Sequence, residues 1–178
     1  MIKRLLTAWA LLGVLAGWSF ATKDPHNLAP TIAAMKVPGV TTTVTVQECG
    51  QPNGFYDLKT RSIIICSELF TVTTDETVHA ILAHELAHGI IHQLNIPFTG
   101  NEEAAADELS AVLMDKAGLK DDMKAVIHYL LENDHGYDPL DDHPPNVTRA
   151  LSIAAVTLHV EPDYKRIVAT WDRLLRLK

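Results

Sequence analysis

His84-Glu85-Leu86-Ala87-His88 lies inside a longer run, from Thr73 to Asn95, and the reading of that run decides the fold. Thr73-Thr74-Asp75-Glu76 has capping-box spelling, with Thr73 as N-cap and Glu76 three residues later. Ile96-Pro97 stops the helix. Residues four apart share a helical face, so the imidazoles of His84 and His88 can reach one metal ion. Glu85, next to the first of them, can point toward a water on that ion. Shuffling the same composition yields this HExxH pattern about twice in a hundred trials, so the pattern alone does not define a site. A catalytic zinc needs three protein ligands and a water, a structural zinc four protein ligands.

The third ligand is sought downstream. The best-known extension places a Gly three residues and a His six residues past the second histidine. Those positions hold Ile91 and Leu94, which excludes it. His92 falls one turn beyond His88, but a straight helix does not wrap three such histidines around one ion. It reads as a surface residue or a support behind the ligands. Asn101 caps a second helix, Glu102 to Lys116, ended at Gly118. On it, Glu103 can supply a carboxylate ligand. Asp107, one turn on, can accept a hydrogen bond from the free ring nitrogen of a ligand histidine and fix its tautomer. Ala104, Ala105 and Ala106 lack bulk and let the two helices approach. Glu102 reads as an acidic residue favoured by the dipole at a helix start.

Upstream, Thr41 to Glu48 alternates and is β-branched, which predicts a strand. Gln51-Pro52-Asn53-Gly54 is turn chemistry, Phe55 to Asp57 resumes an extended path, and Ser62 to Cys66 is a second clear strand. Cys49 and Cys66 fall near the outer ends of this hairpin-like unit. A disulfide between them would contribute ~3 kcal/mol through loop closure. Residues 25–36 predict a short amphipathic helix. Beyond the two ligand helices, Asp121–Glu132, Asn146–His159 and Pro162–Leu177 read as helices, separated by a loop rich in Asp, Pro and Gly over residues 133–145. The last carries an apolar stripe of Tyr164, Ile167, Val168, Trp171, Leu174 and Leu175, which reads as core. The fold class is α+β: a small sheet or hairpin on the HExxH helix and a second ligand helix, with a mostly helical C-terminal part.

At the N-terminus Lys3 and Arg4 precede an uncharged stretch from Leu5 to Phe20, and Ser19-Phe20-Ala21 fits a signal-peptidase site. The expected organisation is a signal peptide over residues 1–21 and a single domain over residues 22–178. The stretch is short for a membrane span of about 20 residues. An uncleaved anchor is the alternative to cleavage. No stable membrane insertion is expected after cleavage, and the destination is secreted or periplasmic, where cysteines oxidise. The 178 residues hold 47% hydrophobic and 21% charged residues, ordinary for a globular chain. Lys and Arg total 15 against 22 Asp and Glu, a formal charge of −7, with no basic block to bind nucleic acid.

HExxH followed by a helical Glu-x-x-x-Asp resembles the gluzincin arrangement of thermolysin-like and HtpX-like metallopeptidases. The resemblance implies Glu103 as third zinc ligand and Asp107 as the residue orienting a zinc histidine. Asp142-His143-Pro144-Pro145 followed by Arg149 resembles the HPPxxxR element of HtpX-like enzymes. Pro52-Asn53-Gly54-Phe55 resembles the Asn-Ala-Phe edge strand beside the substrate in gluzincins, with Gly54 in place of the usual Ala. From about residue 45 to 155 the order of these segments resembles a family of secreted metallopeptidase-like proteins of uncharacterised function.

These readings predict one Zn2+ ion held by His84, His88 and Glu103, and hydrolysis of a peptide or protein substrate with Glu85 as general base. His143, on a Pro-stiffened loop, is a candidate donor to the oxyanion of the tetrahedral intermediate. Arg149 has three possible partners, namely Asp107, Glu103 or a substrate carbonyl. Asn53 either bonds substrate backbone or serves its turn. Tyr56 and Tyr137 have the chemistry of further oxyanion donors, and the sequence favours neither. A catalytically inactive zinc-binding relative acting as a binding module, and a zinc amidase acting on cell-wall peptides, are the rival readings.

Overall fold

The computed structural model describes residues 26–139 and 142–176, so the signal-peptide reading lies outside the described residues. Three strands and seven helices follow in the order α1 Leu28–Ala34, β1 Thr43–Gln47, β2 Gly54–Asp57, β3 Ser62–Cys66, α2 Leu69–Val72, α3 Asp75–Gln93, α4 Glu102–Ala117, α5 Lys120–Glu132, α6 Asn146–Thr157 and α7 Asp163–Arg176. The class is α+β and mostly helical, as the pattern predicts.

The sheet has the order β1-β3-β2. The run Ser-Ile-Ile-Ile-Cys of β3 lies in the middle, with Ile63, Ile65 and Cys66 fully buried. The tight turn at Leu58–Arg61 makes β2 and β3 an antiparallel hairpin, Gly54 opposite Ile65 and Asp57 opposite Ser62. β1 pairs on the other side of β3, parallel, from Thr43 opposite Ser62 to Gln47 opposite Cys66. Cys49 and Cys66 form a disulfide with Cα atoms 5.4 Å apart. It ties the chain leaving β1 to the end of β3. Glu68 accepts hydrogen bonds from the backbone N–H groups of Cys49 and Gly50 in the same loop.

α3 is the central helix, packed against the sheet on one side and against α4 and α5 on others. Its N-cap is Thr74, not Thr73: the Thr74 hydroxyl accepts from the Thr77 backbone N–H. The Thr-Thr pair offers two caps, and the preceding short helix α2 takes Thr73 as its own C-cap. α4 begins and ends as its spelling predicts. Asn101 accepts from the Ala104 N–H, and Gly118 takes the left-handed conformation at φ 77°. Ala105 and Ala106 are buried where α4 meets α3. The stripe on α7 is core, with Ile167 and Trp171 buried.

Two glycines set the distance between α3 and the outer strand β2. A Cβ on Gly54 would lie 2.8 Å from Ile81 Cγ2 and 3.3 Å from Glu85 Cγ. A Cβ on Gly89 would lie 2.9 Å from Tyr56 Cε2. At each point one element lacks a side chain and the other fills the space, Ile81 and Glu85 over Gly54 and the Tyr56 ring over Gly89. This accounts physically for Gly54 where the resembling families carry Ala.

Candidate metal centre

One face of α3 presents His84 and His88, and the first turn of α4 presents Glu103. Their polar atoms converge. His84 Nε2 lies 3.0 Å from Glu103 Oε2, His88 Nε2 lies 3.2 Å from the same oxygen, and the two nitrogens are 3.1 Å apart. Donors at bond lengths of about 2.0–2.1 Å around one tetrahedral ion stand about 3.3 Å from one another. The three atoms form a triangle close to that size, and two imidazoles with one carboxylate are a donor set suited to a divalent ion. The residues present fit a metal.

Behind each histidine stands a second carboxylate. His84 Nδ1 lies 2.9 Å from Asp107 Oδ1. Arg149 grips that carboxylate with both branches, Nε to Oδ2 at 2.8 Å and Nη2 to Oδ1 at 2.9 Å. Of the three partners open to Arg149 in sequence, the structure pairs it with Asp107. His88 Nδ1 lies 2.8 Å from Glu102 Oε1, and His92 Nε2 lies 2.7 Å from the same oxygen. Sequence reasoning assigned Glu102 to the helix dipole and missed this contact. The available signal was the spacing of 84, 88 and 92, which lines three histidines along the face where α4 starts. His143 Nε2 also reaches Glu103 Oε2, at 3.0 Å, so the loop before α6 closes over the cluster.

These contacts govern the charges. Burial opposes ionisation of Glu103, but hydrogen bonds from His143, His84 and His88 outweigh it and hold the carboxyl well below the usual range. Burial likewise opposes charge on His88, yet its bonds to Glu103 and Glu102 push it up to about 9. His84 moves upward for the same reason, through Asp107 and Glu103 against burial. Burial raises Asp107, but the His84 and Arg149 contacts win and hold it at about 2. Glu85 goes the other way: burial raises it, with His84 and His88 opposing.

Two hollows meet at Glu85. One is a cavity of about 320 Å³ beside His84 and Glu85, walled by Ile81, Ala111, Met114, Val126 and Leu130. The other is an open cleft between β2 and the start of α4, bordered by Phe55, Tyr56, His88, Glu102 and His143. Asn53 lines both. Its backbone carbonyl accepts from the Cys66 N–H at 2.9 Å, and its side-chain oxygen accepts from the Gly54 N–H. Tyr56 accepts at its hydroxyl from Gln93, its ring edge against Gly89. Tyr137 is 78% exposed and lines neither hollow.

Among the described residues no helix is long and apolar enough to cross a membrane. The Cys49–Cys66 disulfide is compatible with an extracellular or periplasmic location. No curated protein and no solved structure matches the chain significantly. A family model does. It carries the description "Putative metallopeptidase" and matches residues 29–157, a span that holds the strands, the HExxH helix, Glu103, Asp107 and His143. A metallopeptidase family implies a metal, and the side chains that converge here supply ligands for one; the chain belongs to this metallopeptidase family, DUF4344.

Proposed function

We propose that the chain is an exported zinc peptidase, with residues 1–21 removed as a signal peptide and residues 22–178 acting as one domain. The observation that carries this reading is the triangle of His84 Nε2, His88 Nε2 and Glu103 Oε2, with sides of 3.0–3.2 Å, beside a cleft that Glu85 also lines. These three residues would hold the ion. When bound, zinc lowers the pKa of a water to about 7 and polarises the carbonyl to be attacked.

The side chains of the protein then divide the work. Glu85 takes the proton of the attacking water and returns it to the leaving amine. His143 donates to the oxyanion from the loop over the cluster. Asp107 and Arg149 hold His84 in its orientation. β2 is the edge strand on the side of the cleft, and with Asn53 it offers backbone to an extended substrate peptide. The adjacent 320 Å³ cavity, whose walls mix apolar residues such as Met114 and Val126 with polar ones such as Ser110 and Asn146, accepts one substrate side chain.

The test is digestion of a peptide library by the wild type, by the wild type with chelator, and by Glu85→Gln. Cleavage should be abolished by chelator. It should fall by about 10²–10⁴ in Glu85→Gln while zinc content is unchanged. Equal cleavage by Glu85→Gln would overturn the mechanism. Zinc without cleavage of any peptide would favour an inactive binding relative, and cleavage confined to cell-wall peptides the amidase.

A further inference from the structure

We propose that Glu102 is the positioning residue for the ligand His88, and that His92 holds Glu102 in place. The inference rests on the reading of His84, His88 and Glu103 as metal ligands. A histidine that ligates through Nε2 must carry its ring hydrogen on Nδ1. For His88 that hydrogen points at Glu102 Oε1, 2.8 Å away. His92 Nε2 donates to the same oxygen at 2.7 Å. One carboxylate oxygen thus accepts from two imidazoles spaced one helical turn apart on α3.

The arrangement repeats what surrounds His84. Each ligand histidine has Glu103 at Nε2 and a second carboxylate at Nδ1, Asp107 for His84 and Glu102 for His88. Asp107 is locked by Arg149, and Glu102 is braced by His92 instead. Consecutive residues at the start of α4 therefore hold His88 from both sides. A residue serving only the helix dipole would need none of this, since the dipole asks for negative charge in the first turn and no specific partner. Such carboxylates behind metal histidines fix the tautomer and raise ligand basicity, and their loss costs about 10–100-fold in metal affinity.

The experiment measures zinc affinity by competition with a chromophoric chelator, together with the visible absorption spectrum of the Co2+-loaded protein. It uses wild type, Glu102→Ala, Glu102→Gln, His92→Leu and, as a control for the ligand set, Glu103→Ala. Thermal melts of the metal-free proteins report on folding. Glu102→Ala should weaken zinc binding by about 10–100-fold and change the cobalt spectrum. Glu102→Gln, which keeps an acceptor oxygen, should recover part of the loss, and His92→Leu should show a smaller loss than Glu102→Ala. A Glu102→Ala protein with wild-type affinity and spectrum overturns the inference, whatever its melting temperature. If Glu102→Ala does not fold, Glu102→Gln and His92→Leu decide, and wild-type affinity and spectra in both overturn it. If Glu103→Ala binds zinc as tightly as wild type, the ligand assignment itself falls and takes this inference with it. Loss in Glu103→Ala with none in Glu102→Ala overturns the inference alone.

Discussion

The two histidines proposed as ligands, His84 and His88, sit one turn apart on the same helix, yet they are supported by opposite means. His84 lies deep, and its carboxylate partner Asp107 is 2% exposed and clamped by a guanidinium from α6. His88 lies toward the cleft, and its partner Glu102 is half-buried and braced by the partly exposed His92. A carboxylate taken fully out of water needs a full counter-charge, because desolvation costs several kcal/mol. One at the rim keeps part of its hydration and needs only hydrogen bonds. The inner support is therefore part of the folded core, whereas the outer support can be altered without unfolding the protein.

That contrast breaks most clearly at Arg149. Arg149→Met should destabilise by about 3–5 kcal/mol, since it strands a buried carboxylate. A urea titration at neutral pH reads the loss, and a drop below 1 kcal/mol would remove the distinction between the two sides. The disulfide comes next. Cys49→Ser with Cys66→Ser should cost about 3 kcal/mol, read as a shift in the same denaturation midpoint. That change should act on the sheet beside the outer cleft, with little effect on zinc affinity. The contact of helix and strand is third. Gly89→Ala should cost about 1–3 kcal/mol by pressing a methyl into the Tyr56 ring. Tyr56→Ala should absorb most of the penalty in a double-mutant cycle. The smallest expected effect is Glu102→Ala on the stability of the metal-free protein, within about 1 kcal/mol by thermal melt, set against its effect on metal affinity.

The legible parts of this fold share one property: they follow from spacing along a single element. The i, i+4 pairs His84/His88 and Glu103/Asp107 follow the helical period, while the Asn101 cap and the Gly118 stop are local signals at the helix ends. The β-branched alternation of β1 and the Ile run of β3 are equally local. What spacing does not carry is the meeting of elements. The parallel pairing of β1 with β3, around β2 in the chain, has no local signature. The choice of Thr74 over Thr73 depends on where α2 ends. Glu102 and Glu103 are neighbours of the same type, and only the packing of α4 on α3 decides which faces Nε2 and which Nδ1 of His88. The spelling of Arg149 suggested the site, but its choice of Asp107 came from the position of α6 over α4. Gly54, a departure from the resembling strand when read as sequence, became intelligible once Ile81 and Glu85 were seen beneath it.

The central claim is that two imidazoles of α3 and one carboxylate of α4 hold a single zinc ion. Diffraction from crystals of the protein purified with zinc, recorded on both sides of the zinc absorption edge, tests it most directly. The account predicts one anomalous peak at full occupancy, about 2.0–2.2 Å from His84 Nε2, His88 Nε2 and a Glu103 oxygen. A peak bounded by other residues, or none in protein that cleaves peptides, would contradict it.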